Sequence, residues 1–137
     1  MKLTVDILTP QSKIFSGEAD EVLVPTVNGQ LGILPNHVAL LTQILPGELE
    51  IKTGGKSQFV AIMGGYLEVG NNKVNILGDY AVRAEDIEIA KVEQAKVKAE
   101  KMKQEKVSIE DIAGIEADLR RSILELKVAQ RRRSTRN

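Results

Sequence analysis

Few side chains in this sequence are suited to acid–base or covalent chemistry. The one histidine, His37, follows Leu34-Pro35-Asn36 in a turn-forming stretch, and cysteine is absent. A single imidazole without a thiol or a Gly-x-Ser-x-Gly elbow does not assemble a nucleophile with its base. His37 therefore reads as a ring that fixes a loop by hydrogen bonds. Gly54-Gly55-Lys56-Ser57 has the ending of a phosphate-binding loop. Such a loop needs a glycine five positions before Gly55, where this chain has Glu50, and a helix after it, where the pattern is a strand. The segment reads as a turn between strands. No catalytic residue, metal set or resident cofactor is expected, since lack of cysteine also removes thiolate zinc sites and disulfides.

Arg131-Arg132-Arg133 near the C-terminus is the remaining concentrated chemistry. Nineteen Lys plus Arg balance nineteen Asp plus Glu over 137 residues, and no aromatic residue follows Tyr80. A nucleic-acid surface would need a net positive field or stacking rings, so this run reads as a solvated tail or a contact for an acidic protein surface. The balance also hides an asymmetry. Residues 1–84 carry 6 basic and 8 acidic side chains, whereas the shorter segment 85–137 carries 13 and 11. Apolar runs are too short to span a bilayer, and the start Met1-Lys2-Leu3-Thr4-Val5-Asp6 lacks a secretory pattern. No direct membrane insertion is expected.

The elements that position these residues follow from hydrophobic period. From Leu3 to Arg83 short alternating runs are broken by turn residues every 8–12 positions. Leu3, Val5 and Ile7 alternate with polar neighbours; Val22 and Val24 lead to a stop at Pro25, and Asn28-Gly29 supplies the positive φ values of a hairpin. Leu49 and Ile51 share a face, Gln58–Met63 is apolar on both faces and hence central, and Gly70-Asn71-Asn72 turns into Lys73–Leu77. At Ala84 the period changes to about 3.6. Ile89, Val92, Ala99 and Met102 make a stripe within a helix from Glu85 to Lys106, and Ser108 with Asp111 caps a second helix. Ile112, Ile115, Leu119, Ile123 and Leu126 form its seam, with Glu116 and Arg120 as an exposed pair. A connection of about two residues around Val107 makes the pair antiparallel. The predicted fold is α+β: an antiparallel β-sandwich of eight to ten short strands over residues 1–84, then an αα-hairpin over 85–137. Ala113, Leu124 and Val128 lie off the seam, which points to protein contacts.

The stretch Gly29-Gln30-Leu31-Gly32-Ile33-Leu34-Pro35-Asn36-His37, with Leu40-Leu41-Thr42 and Pro46-Gly47-Glu48-Leu49, resembles the epsilon subunit family of F-type ATP synthases. Met63-Gly64-Gly65-Tyr66-Leu67-Glu68-Val69, Val74-Asn75-Ile76-Leu77 and Arg83-Ala84-Glu85-Asp86-Ile87 extend the likeness over nearly the whole chain. The resemblance implies a non-catalytic subunit of the central stalk. Its sandwich would meet the gamma subunit and the c-ring, and its mobile C-terminal helices would inhibit ATP hydrolysis in the alpha/beta head. Gln30, Leu31 and Gly32 would then face the ring, and His37 and Thr42 would face gamma. Arg120, Arg121, Lys127, Arg131 and Arg132 would meet an acidic segment of beta. The protein would sit peripherally on the cytoplasmic side of a bacterial plasma membrane, or on the stromal side of a thylakoid.

Some members of that family bind ATP at the hairpin through a motif of Ile or Leu, Asp, two variable residues, Arg and Ala. Here the matching positions hold Ile87, Glu88, Ile89, Ala90, Lys91 and Val92; a further acidic position is Val82 and a second-helix arginine is Glu125, while Arg121 is kept. A weak ATP site at most, made of Glu88, Lys91 and Arg121, is expected, because lysine does not reproduce the bidentate fork of arginine. A free-standing nucleotide or phosphate sensor with a helical switch is the alternative at this point.

Overall fold

A computed structural model describes residues 1–105 and 108–135, with side chains described as far as Arg131. The chain divides into two compact units, Met1–Arg83 and Ala84–Asn137. The Arg132 side chain and the connection at Lys106 and Val107 lie outside what is described.

Eight strands build the first unit: β1 (Leu3–Leu8), β2 (Lys13–Ala19), β3 (Glu21–Thr26), β4 (Gly29–Ile33), β5 (Leu40–Thr53), β6 (Lys56–Gly70), β7 (Lys73–Gly78) and β8 (Ala81–Arg83). Their order is β2-β1-β7-β6-β5-β3-β4, with β8 also on β6. All pairs are antiparallel except β1 with β7. The alternation read from sequence sets what goes inside. Leu3, Val5 and Ile7 are fully buried, as are Val22, Val24, Leu49 and Ile51. Each large side chain so buried contributes about 1.5–3 kcal/mol. Val60, Ala61 and Ile62 are buried in succession, as expected of a central strand.

Two departures from the sequence reading have simple causes. Strand β3 continues through Pro25 to Thr26. The pairing of β3 with β5 is irregular between Leu23 and Thr26, so the missing proline N–H falls where no regular ladder bond is needed. At the β3–β4 hairpin, positive φ is confined to Gly29 (98°), and Asn28 does not share it. Here the hydroxyl of Thr26 holds the loop, accepting from Asn28 N at 3.1 Å and donating to Gly29 O at 2.7 Å.

Strand β6 changes partners halfway along. Val60–Ile62 pairs with β8, Gly65–Gly70 pairs with β7, and the Gly64-Gly65 pair lies at the switch. There Met63 N donates to Tyr80 O at 2.9 Å and Asp79 N to Gly64 O at 3.0 Å. Gly65 has φ 144°, and a Cβ on it would overlap the Leu77 carbonyl oxygen. At the far end of the strands, the Asp20 carboxylate accepts from Lys2 Nζ and from Gly54 N, both at 2.7 Å. These bonds, Lys2 first, hold its pKa below the ordinary carboxylate value.

The second unit begins with a 3-10 turn, Ala84–Asp86, ahead of α1 (Ile89–Gln104) and α2 (Ile109–Thr135). The first helix therefore starts later than Glu85, because Ile87, 5% exposed, turns inward between the two helical pieces. Ser108 caps α2 as expected: its Oγ accepts from Asp111 N at 3.2 Å and donates to the Asp111 carboxylate at 2.8 Å. Glu116 pairs with Lys103 of α1 at 3.5 Å, not with Arg120. On α2 the inward side is Ile115, Ser122, Glu125, Val128 and Ala129, while Ile123 is 52% exposed. After Leu119 the inward step is three residues, to Ser122, and the seam expected at Ile123 turns outward as a 3.6-residue helix drifts. Met102 is likewise 40% exposed.

The close approach at Gly65 sets one expectation. Gly65→Ala should destabilise the chain by roughly 2–5 kcal/mol, the sum of overpacking and backbone strain, read as a lower urea midpoint. A second concerns pH. Asp20 has its pKa depressed on folding, so its contribution is present above the unfolded carboxylate value and is lost as pH falls through the folded one. The melting-temperature gap between wild type and Asp20→Asn is expected at neutral pH and should close on acidification.

Candidate functional site

Since Thr42 and Ile44 of β5, Leu67 and Val69 of β6, and Val74 and Ile76 of β7 are buried, their neighbours must point out of the other side of the sheet. Those neighbours are largely apolar. Leu41 is 71% exposed, Tyr66 57%, Leu77 54% and Leu45 44%. Register aligns them: Gln43 lies opposite Tyr66, Tyr66 opposite Leu77, and Leu77 opposite Leu8 of β1. Val27, 49% exposed, joins from the turn after β3, where its N–H reaches Gln43 O at 3.1 Å. In the next row Leu41 lies beside Glu68, Asn75 and Asp6, which add a polar margin. This apolar band on a regular strand surface, rimmed by polar groups, has the make-up of a protein-docking face. Its sequence signal is the doubling of apolar residues in Ile44-Leu45, Tyr66-Leu67 and Ile76-Leu77, where one residue serves the core and the other the outside.

The band is continuous in chain with a presented turn. Leu34-Pro35-Asn36-His37 precedes β5, with Leu34 53% and Val38 75% exposed. The half-buried ring of His37 has Nδ1 2.7 Å from Val38 O, so Nδ1 carries the proton. His37 thus stiffens its own loop. Thr42, paired with it in the sequence reading, is only 8% exposed and faces the core; Leu41 and Gln43 are what β5 presents outward.

Gln30, Leu31 and Gly32 lie on β4, at an edge of the sheet. They do not share one face. Gln30 and Gly32 are exposed, whereas Leu31 is half-buried against the core. The Gly54-Gly55 segment, read from sequence as a turn between strands, is the β5–β6 turn: its Gly54 amide is taken by Asp20, and Ser57 Oγ donates to Glu50 at 2.7 Å.

On α2, Arg120, Lys127 and Arg131 recur at spacings of seven and four, which places them on one stripe of the helix, and all three are exposed. Arg121 is turned away from that stripe. It lies 3.8 Å from Asp118 and lines a cleft of about 320 Å³ between the helices with Lys98, Ser122, Ala99, Met102 and Ile115. Glu88 and Lys91 are absent from that lining. They pair with each other at 2.9 Å, and Glu88 holds the Lys91 ammonium above the usual lysine range. Arg121 thus lines the cleft without Glu88 and Lys91.

The beta-sandwich domain of the ATP synthase delta/epsilon chain matches residues 2–84. An ATP synthase epsilon chain of Herpetosiphon aurantiacus is 42% identical over 134 residues, 98% of each chain. One from Dehalococcoides mccartyi is 41% identical over 96% of this chain and 95% of its own length. Among solved structures, a chain of the Euglena gracilis mitochondrial ATP synthase in an OSCP/F1/c-ring assembly superposes with a TM-score of 0.63 at 22% identity, covering 99% of this chain and 82% of that one. A chain of the Tetrahymena thermophila mitochondrial ATP synthase central stalk and c-ring gives 0.62 at 17% identity, covering 94% and 97%. These two share its fold. On the sandwich match and the near full-length relatives, the chain belongs to the ATP synthase epsilon chain family.

Proposed function

We propose that this chain is a non-catalytic rotor subunit of the central stalk, coupling ion flow through the c-ring to ATP synthesis. The observation that carries the reading is the outward apolar band of Leu41, Leu45, Tyr66 and Leu77, which suits a long-lived contact with the gamma subunit. The Leu34–Val38 turn, with His37, extends that contact. The edge strand β4, with Gln30, Leu31 and Gly32, meets the c-ring loops. Membrane association runs through the complex, on the side of the catalytic head; no described helix is long and apolar enough to cross a membrane. In a bacterium that side is the cytoplasm.

The helices form a brake on ATP hydrolysis. Arg120, Lys127 and Arg131 offer one cationic stripe to an acidic surface of the beta subunit, and Arg132 continues the basic run in sequence. A second reading, anion sensing, draws on the cleft with Lys98, Arg121 and Ser122. The mutual pairing of Glu88 and Lys91 supports weak nucleotide binding.

Three measurements test these statements. Leu77→Asp should weaken binding of purified gamma by more than about tenfold, as loss of a central apolar anchor does, while the chain still melts cooperatively. Replacing Arg120, Lys127 and Arg131 together with Ala should raise ATP hydrolysis by the assembled enzyme, with the gain shrinking at high salt, whereas Arg121→Ala alone should not. Isothermal titration of the isolated chain with ATP should give a Kd well above micromolar; a tighter value would favour the sensor.

A further inference from the structure

The turn that carries His37 is held by a residue from a different hairpin. Its own closure is His37 N to Leu34 O at 3.1 Å. Pro35 occupies its second position and Asn36, at φ 69°, its third, the type II arrangement. The Asn36 N–H donates outward, to Oδ1 of Asn72 at 2.6 Å. Asn72 sits in the β6–β7 turn at φ 60°. Its carbonyl accepts from Thr4 N at 2.8 Å, and its Nδ2 lies 3.1 Å from Met1 Sδ. Only the amide oxygen can accept from a backbone N–H, so the orientation of this side chain is fixed by its partners.

Asn72 is thus anchored to β1 through its backbone and reaches the turn through its side chain. On the turn, Leu34 and Val38 are 53% and 75% exposed. Two exposed apolar side chains on a mobile loop would have to be ordered on binding, whereas a loop already held loses less. We infer that Asn72 is a positioning residue for partner docking, holding the Leu34–Val38 turn in its binding geometry through the Asn36 N–H. The inference rests on the reading that this turn meets the gamma subunit.

The test uses the full chain and purified gamma. In the wild-type chain the Asn36 amide should be protected from hydrogen exchange; exchange at the rate of an unstructured amide overturns the proposal without any variant. Asn72→Gly keeps a residue at home at positive φ and removes Oδ1. It should deprotect Asn36 and weaken gamma binding roughly fivefold, the factor one hydrogen bond's net contribution gives. Asn72→Asp retains an acceptor oxygen and should restore both readings, which a general loss of stability would not do. Wild-type affinity for Asn72→Gly, or failure of Asn72→Asp to restore it, overturns the role of Asn72. A Leu34→Ser, Val38→Ser double variant separates the two layers of the argument. If it binds gamma as wild type does, the docking reading of the turn fails and the proposal with it. If it binds weakly while Asn72→Gly binds normally, only the positioning role fails.

Discussion

The contact between the backbones of β6 and β7 at Gly65 governs the rest of the sandwich. With no Cβ there, the Leu77 carbonyl approaches where a side chain would begin, and Gly65 faces Gly78 across the ladder. The approach brings Tyr66 and Leu77 side by side on the outer face, and it lets β6 leave β7 for β8 within a few residues. Ile62 then closes over Gly78, where a Cβ would meet its Cδ1 at 3.1 Å. A side chain at Gly65 would separate the strands at the point where the core, the change of strand partner and the outer apolar band meet. The tightness of this corner gives the glycine pair of the family motif a physical reason.

Much of this was legible because β1, β3 and β7 alternate cleanly. Leu3, Val5 and Ile7 needed no tertiary information, nor did the turn at Asn71 and Asn72, whose φ values of 50° and 60° suit asparagine. That Thr42 is buried while Leu41 and Gln43 face outward is not readable from the motif, for the same reason that the outer band is not. A motif match places a residue in a segment without telling which way the pleat points it, and a shift of one residue exchanges inside for outside. On α2 the comparable error is Ile123, where a spacing of four in place of three carried the seam outward. The links from Asn72 to Asn36 and from Asp20 to Gly54 span more than thirty residues each and depend on how turns meet in space. No local pattern encodes them.

The helical unit is held differently. Ala99 is the only buried residue of α1, and its N-cap Glu88 makes no side-chain cap bond, its carboxylate going to Lys91. Ile89, Val92 and Lys96 are half-buried. A seam this narrow removes little apolar surface from water, so α1 is held weakly compared with the central strands β5, β6 and β7. The ion pair from Lys103 to Glu116 is half-exposed and adds about 1 kcal/mol or less. Stability is spread unevenly along the chain, and elements that change partners are drawn from the weaker end.

That inequality gives the proposed division of roles a basis apart from family likeness. A rotor subunit must keep one contact through every turn and release another when conditions change. Leu41, Tyr66 and Leu77 stand on strands whose backbone is already fixed, and Leu and Tyr lose few rotamers on contact, so most of the apolar burial survives as affinity. Arg120, Lys127 and Arg131 are long side chains on an exposed helical stripe. Each loses about 2 kcal/mol of rotamer freedom when held, gains an attraction that salt screens, and so contributes little net free energy by itself. A contact made of many such small terms assembles only when all are aligned and comes apart when the helix shifts. On the proposed function, persistent docking belongs to the sheet face, and the reversible restraint belongs to the helix.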